Sequence, residues 1–478
     1  MKNSRFLLKR ILSGLPVSLA LAFQSLFAAD KPNIVIIFND DQGYQDLGCF
    51  GSPDIKTPRI DQMAREGMRF TDFYVASPVC SASRAGLLTG CYPHRVGVQG
   101  VYFPNRGSGG LSPEQVTIAE TLKSVGYETA AVGKWHLGDE VPYLPTSQGF
   151  DSYYGIPYSN DMHPAKEMAY AEDCHFREGE SLQTLKAAFA GELRRGAPRR
   201  LKNKVPLMRD TECVEFPADQ RTITRRFADE GIRFISESVA SEKPFFLYLA
   251  NSMPHTPLFA SPEFEGKSER GLYGDVIEEI DYNTGRILDH LTQVGVEENT
   301  IVIYTSDNGP WLVKRDHSGS ALPLFEGKFT SFEGGCRVPC IIKWPARIPA
   351  GSVCSEIAST IDLHPTLARL AGAELPTMEL DGKDIANLMA GQEGAKSPHD
   401  YYFYVNRGEA VRSGDWKYHK TRHFTTMKPE DDQSGPALYN LKRDIGESEN
   451  LLAEYPEIGE RLADALDDHL RRIGVTAK

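Results

Sequence analysis

From Pro32 onward, short apolar runs rich in β-branched and aromatic residues alternate with amphipathic stretches. NIVIIF (33–38), TAAV (129–132), PFFLYLA (244–250), TIVIYTS (300–306) and RVPCIIKW (337–344) read as strands, most of them apolar on both faces as a covered sheet requires. Between them Thr117–Val125, Arg221–Ser238, Asp275–Gln293 and residues 361–373 read as helices. In the third, Val276, Ile280, Ile287, Leu288 and Leu291 recur at helical spacing, and Gly126-Tyr127 stops the first. The pattern predicts an α/β unit with helices layered on a sheet. Past residue 373 the texture changes. Short segments at 401–405, 410–412, 416–419 and 438–440 predict a small antiparallel sheet, and Pro456–Ile473 a closing helix. The expected division is therefore 30–373 and 374–478, with 164–219 the least regular stretch.

The first 29 residues do not belong to this pattern. MKNSRFLLKR leads into ILSGLPVSLALAFQSLF and then Ala28-Ala29-Asp30, the basic, apolar and small-residue order of a secretory signal. Pro16 and Gln24 interrupt the apolar run, which is shorter than a spanning helix requires. Export to the periplasm or the exterior is expected, without a stable membrane anchor. That segment holds four basic side chains and no acid, so its removal shifts the net charge of -12 to -16. An acidic chain is a poor nucleic-acid binder, and any anionic substrate must be caught by local charge. An oxidising destination would permit disulfides among the eight cysteines, with pairing not readable from sequence. Within Arg194–Lys204 six of eleven residues are basic, which reads first as a solvated face.

Three strand ends carry polar clusters, and in doubly wound sheets the chemistry collects past the carboxyl ends of strands. They are Asn39-Asp40-Asp41, Gly133-Lys134-Trp135-His136 and Asp307-Asn308-Gly309. Asp and Asn after a strand are ordinary turn residues. If Asp40, Asp41 and Asp307 converge, however, two carboxylates ~4 Å apart repel by about 4 kcal/mol at an effective dielectric near 20. Shared protons or a hard, oxygen-loving cation would relieve this. Lys134 and His136, two apart in an extended segment, are expected on one face.

In SPVCSASRAGLLTG (77–90), Ser77-Pro78 presents Cys80 just before a helix whose N-terminus favours an anion. Arg84 follows four residues on, on the same side. A buried thiol and a thiolate nucleophile are the alternatives to an anion-site role. Cys80-Ser81-Ala82-Ser83-Arg84 resembles the C-x-P/A-x-R signature of the type I, formylglycine-dependent sulfatases. GYETAAVGKWHLG (126–138) resembles their second signature. FNDDQGYQDLG (38–48), TSDNGP (305–310) and GKFTSFEGGCRVP (327–339) extend the resemblance, which looks closest to the branch of arylsulfatase A and N-acetylgalactosamine-6-sulfatase.

That resemblance implies an alkaline-phosphatase-like fold: a large mixed sheet sandwiched by helices, with a smaller C-terminal α+β subdomain. It implies that a formylglycine-generating or equivalent maturation enzyme converts Cys80 to formylglycine, whose geminal diol attacks the sulfate ester through a covalent sulfo-enzyme intermediate. One Ca²⁺ would be held by Asp40, Asp41, Asp307 and Asn308 together with the modified Cys80. Arg84, Lys134 and Lys328 would surround the sulfate, and Asp307 would take the attacking hydroxyl's proton. His255 would be the general acid and His136 the base that expels sulfate. Ser159 matches a substrate-contacting position, and His317 could line the pocket. The expected substrate is a sulfated carbohydrate. Two competitors are phosphoryl transfer, which usually pairs Ser or Thr with two zinc ions, and a turnover-dead glycan binder using Arg194–Lys204.

Overall fold

In the computed structural model, which describes residues 31–107, 109–191, 193–194, 196–405, 409–427 and 434–475, strand Asn33–Asn39 alternates its side chains between two cores. Ile34, Ile36 and Phe38 face Ala82, Ala85 and Leu88 of helix Cys80–Thr89, with Leu122 and Leu367 beyond. Val35 and Ile37 face the other way, toward Ile60, Phe227, Ile235, Ile280 and Ile287. Successive residues of a strand point to opposite faces, so one run can be apolar throughout and supply two layers.

Eleven strands form the sheet. From one edge the order is Ser352–Cys354, Met68–Phe70, Cys340–Lys343, Thr300–Ser306, Asn33–Asn39, Phe245–Ala250, Glu128–Lys134, Ser152–Ile156, Leu207–Arg209, Glu212–Phe216 and Tyr170–Phe176. The middle five, from Thr300–Ser306 to Ser152–Ile156, are mutually parallel, so their carboxyl ends open on the same edge. Antiparallel partners flank them at Cys340–Lys343 and Leu207–Arg209. This mixed, helix-covered sheet with its smaller C-terminal sheet is the architecture expected of an alkaline-phosphatase-like fold.

Helices Ile223–Ala240 and Leu272–Gln293 match their expected positions within a few residues. The expected helix at 117–125 is shorter, Ile118–Lys123, closed at its start by a reciprocal cap between Thr117 and Glu120. The stretch expected to be irregular instead carries strands Tyr170–Phe176, Leu207–Arg209 and Glu212–Phe216, which extend the sheet, and helix Leu182–Ala190. Tyr170–Phe176 is a polar edge strand (YAEDCHF is partly exposed throughout), while Leu207–Arg209 and Glu212–Phe216 are buried in part but only three and five residues long, so none shows the apolar run that identifies a covered strand.

A four-stranded antiparallel sheet, Tyr402–Tyr404, Glu409–Ser413, Trp416–Thr421 and Ala437–Asn440, packs against helix Pro456–Arg472. A buried polar network keys it to the rest of the molecule. Lys417 lies 2.9 Å from both Glu333 and Glu447, and Glu333 also accepts from Tyr74 and Tyr404. Lys417, Arg337 and Arg412 overcome the burial that would raise its pKa and hold Glu333 far below the usual carboxylate range.

Candidate active site

Each central parallel strand delivers a polar group where it ends. Asn33–Asn39 runs directly into Asp40 and Asp41, Thr300–Ser306 into Asp307 and Asn308, and Glu128–Lys134 closes on Lys134 itself. Phe245–Ala250 leads to His255 and Ser152–Ile156 to Ser159. Across the cleft, helix Cys80–Thr89 begins at Cys80 itself and not just after it, so Cys80 and Arg84 stand one turn apart on the side facing the strand ends.

The loop that brings Lys328 is locked to both neighbours. Its backbone N–H donates to the Pro310 carbonyl at 2.9 Å, and that of Phe329 donates to Pro78 at 3.0 Å. A side chain at Gly309 would place its Cβ 1.7 Å from the Gly334 carbonyl, so only glycine lets the Asp307 turn and this loop touch.

Ligand atoms of Asp40, Asp41, Cys80 and Asp307 all lie within 4.8 Å of one another, and all four residues are buried. Cys80 Sγ is 3.5 Å from Asp40 Oδ1 and 3.1 Å from Lys328 Nζ. Lys328 Nζ donates to both Asp41 oxygens at 2.6 and 2.8 Å, and Lys134 Nζ pairs with Asp40. Arg84 donates through Nε and Nη2 to Asp307 Oδ2 at 3.1 and 2.8 Å, and through Nη1 to the Lys134 carbonyl. Three cations and three carboxylates thus share one buried volume. Asn308 donates Nδ2 to Asp41, while its Oδ1 is buried without a partner. An orphaned carbonyl oxygen beside three carboxylates is the donor set of a hard cation, so the residues present fit a Ca²⁺ ion.

Electrostatics separate the carboxylates. Burial alone would raise Asp40, but Lys134, His255 and Arg84 outweigh it and its pKa falls below the usual value. Asp307 moves the other way, because burial and the neighbouring Asp40 charge exceed the help of Arg84 and Lys134. Burial drives the Cys80 thiol well above its ordinary pKa despite Lys134 and Lys328, so the unmodified side chain is a neutral thiol, contrary to a thiolate nucleophile.

The two histidines have distinct tautomers. His136 Nε2 lies 3.0 Å from the Tyr102 carbonyl, which can only accept, so Nε2 carries the hydrogen and the buried Nδ1 is a free lone pair. Burial, then Lys134 and Arg84, keep this ring neutral by depressing its pKa strongly. The expected extension of the strand through 136 does not occur. It ends at Lys134, and His136 has a left-handed backbone (φ 62°), which turns its ring toward Tyr102. Asn160, which sequence reasoning overlooked, fixes His255. Its Nδ2 donates to the His255 and Pro257 carbonyls, so Oδ1 accepts from His255 Nδ1 at 3.0 Å. His255 Nε2 then faces Asp41 Oδ2 at 3.7 Å.

Ser159 joins the cluster, with Oγ 3.4 Å from both Lys134 Nζ and the His255 ring. His317 does not. It is exposed at the end of the 3₁₀ segment Leu312–His317, and no hydrogen bond or ion pair among the described residues ties it to the cluster. The basic stretch 194–204 is partly neutralised by Arg200–Glu180 and Lys204 paired with Glu178 and Glu180. All eight thiols are free. Residues 1–29 lie outside the described residues, and among the latter no helix is long and apolar enough to cross a membrane.

The sulfatase family model matches residues 32–373, and the C-terminal model of N-sulphoglucosamine sulphohydrolase matches 323–473. Human arylsulfatase A is 39% identical, covering 92% of this chain and 87% of its own. N-acetylgalactosamine-6-sulfatase of Canis lupus familiaris is 35% identical over 93% of this chain and 87% of its own. The crystal structure of Ps i-CgsB in complex with k-i-k-neocarrahexaose superposes with a TM-score of 0.74 at 31% identity, covering 92% of each chain. The geometry and these matches agree: the chain belongs to the sulfatase family and is a sulfuric ester hydrolase.

Proposed function

We propose that this sulfatase is an exported, calcium-dependent enzyme that removes sulfate from carbohydrate esters after Cys80 has been converted to formylglycine by a maturation enzyme. The observation that carries the reading is Cys80 itself: a neutral, buried thiol at a helix N-terminus, touching Lys328 and Asp40. Formylglycine there, hydrated to a geminal diol, supplies one hydroxyl to displace the alcohol at sulfur and a second whose deprotonation releases sulfate and restores the aldehyde. Asp40, Asp41, Asp307, Asn308 and residue 80 would hold a Ca²⁺ ion, which would supply positive charge to the sulfate.

The protein's own side chains do the rest. Arg84, Lys134 and Lys328 bind and orient the sulfate in a water-poor volume where their charge is little screened. Asp307, within ligand distance of residue 80, takes the proton of the attacking hydroxyl. His255, held through its Nδ1–H by Asn160, acts as the imidazolium and gives its Nε2 proton to the leaving oxygen, with Lys328 beside it and Ser159 in contact. His136 offers its free Nδ1 to the second hydroxyl. The catalytic part would end near residue 373, with 374–478 as a C-terminal subdomain. A sugar ester is supported by relatives whose names carry a sugar or a bound oligosaccharide.

The test is sulfate release from a panel of sulfated mono- and polysaccharides by protein co-expressed with a formylglycine-generating enzyme, with and without Ca²⁺. Calcium-dependent release from at least one carbohydrate is expected. Release from aryl sulfates alone would overturn the carbohydrate assignment.

A further inference from the structure

Immediately after the Asp307–Pro310 turn the chain presents an arrangement that the chemistry above does not use. The Trp311 ring lies 5.5 Å from the His255 ring and 5.7 Å from Phe329, with Lys328 Nζ 5.0 Å from its centre. It therefore borders the two groups assigned to the leaving oxygen. Trp311 is only half-buried. Lys314 Nζ sits 4.0 Å above the indole, which puts an exposed ammonium within about 10 Å of the His255 ring.

Charge makes this segment unusual. Most buried and half-buried cations nearby are matched by a carboxylate, as Arg84 and Lys328 are. Lys314 and Arg315 make no ion pair with any described residue, and both are exposed, with Asp316 the one acid on the segment. The backbone is strained in the same place: Arg315 has φ 55° and ψ -117°, a conformation that side-chain-bearing residues rarely adopt. Strained backbone persists where the surroundings over-determine it, and it clusters at ligand-holding sites. In a chain of strongly negative net charge, two unmatched cations at this rim make a local positive field for an approaching anion.

We propose that Trp311 and Lys314, with Arg315 beside them, form a leaving-group subsite for a ring that carries a second anionic group. In this subsite the ring bearing the ester oxygen packs beside the indole, and its carboxylate or second sulfate pairs with Lys314 above it. The preferred substrates are thus acidic sugar sulfates and not neutral monosulfates. This rests on the reading of His255 and Lys328 as the groups at the leaving oxygen. Trp311 and Lys314 would set specificity; neither touches the reacting bond.

The experiment uses the matured full chain and two probes of similar leaving-group basicity, 4-methylphenyl sulfate and 4-(carboxymethyl)phenyl sulfate, which differ in the second anion. Wild type should prefer the carboxylate probe, with the preference shrinking as NaCl is raised. Lys314→Met keeps the alkyl stem over the indole and removes the charge. It should cut the ratio of kcat/KM values by about three- to fivefold, mainly through KM, and abolish the salt dependence of that ratio. Trp311→Phe should weaken both probes by raising KM, with a smaller loss than Trp311→Ala. Turnover of both probes with a ratio that neither salt nor Lys314→Met changes would overturn the subsite alone. No sulfate release from either probe or from any sulfated carbohydrate, by protein shown to carry formylglycine, would overturn the subsite together with the functional reading.

Discussion

Lys328 Nζ lies 2.6 and 2.8 Å from the two oxygens of Asp41 and 3.1 Å from Cys80 Sγ, so one buried ammonium joins a candidate metal ligand to the residue proposed as nucleophile. Asp41 and its neighbours push the Lys328 pKa far up against the effect of burial, which keeps this cation charged at any working pH. Lys328→Met would remove the ammonium partner of Asp41 and, on the proposed reading, one of three cations at the sulfate. We expect kcat/KM to fall by about 10²- to 10³-fold, with the far-UV spectrum unchanged, in assays of matured protein.

The partnerless Oδ1 of Asn308 predicts a metal effect that can be read without turnover. Adding Ca²⁺ to chelator-treated protein should raise Tm in a concentration-dependent way, by roughly RT ln(1 + [L]/Kd) in free energy. Asn308→Leu should shift that titration to higher Ca²⁺. A Tm insensitive to Ca²⁺ in the wild type would contradict the assigned ligand set.

The His255 tautomer set by Asn160 predicts a dependence on the leaving group. A general acid matters most when the departing alkoxide is basic. His255→Gln should therefore lose about tenfold more activity on a sugar or alkyl sulfate than on 4-nitrophenyl sulfate. Asn160→Ala should show the same trend more weakly. Equal losses on both ester types would remove His255 from that role.

Acid should destabilise the fold through His364 and His469, both pushed down to about 4 by burial. A folded-state pKa below the unfolded value of about 6.5 means that the unfolded chain binds the proton more tightly. The stability these neutral rings contribute is complete above pH 6.5 and is lost as the pH falls toward 4, by up to roughly 3 kcal/mol for each. Denaturant unfolding at pH 7.0, 5.5 and 4.5 should show a shallower decline for His364→Gln than for the wild type.

Much of the fold could be read directly, because strands covered on both faces must be apolar throughout, as Asn33–Asn39 and Thr300–Ser306 are. Tyr170–Phe176 was hidden by its polarity and Leu207–Arg209 and Glu212–Phe216 by their brevity, and only hydrogen-bonded neighbours identify them. In the site, Asp40, Asp41, Asp307 and Asn308 were visible as polar residues following apolar runs. Asn160 and the Tyr102 carbonyl were not, since their roles depend on which histidine nitrogen they meet. Asn160 adjoins Ser159 in GIPYSND, which is the one sequence signal that pointed toward it. Glu333 was equally silent. Its burial among Lys417, Tyr74 and Tyr404 depends on a sheet some seventy to a hundred residues later, and Glu333→Ala should lower the unfolding free energy by about 3–5 kcal/mol.

The central claim is that residue 80 acts as an aldehyde and not as a thiol. Mass spectrometry of the Cys80-containing peptide, from protein co-expressed with a formylglycine-generating enzyme, tests it most directly when paired with turnover of the same sample. The account predicts a peptide lighter by about 18 Da, sulfur and two hydrogens exchanged for one oxygen, in a fraction that tracks specific activity. Full sulfatase activity in a preparation whose residue 80 is entirely unmodified cysteine would contradict it.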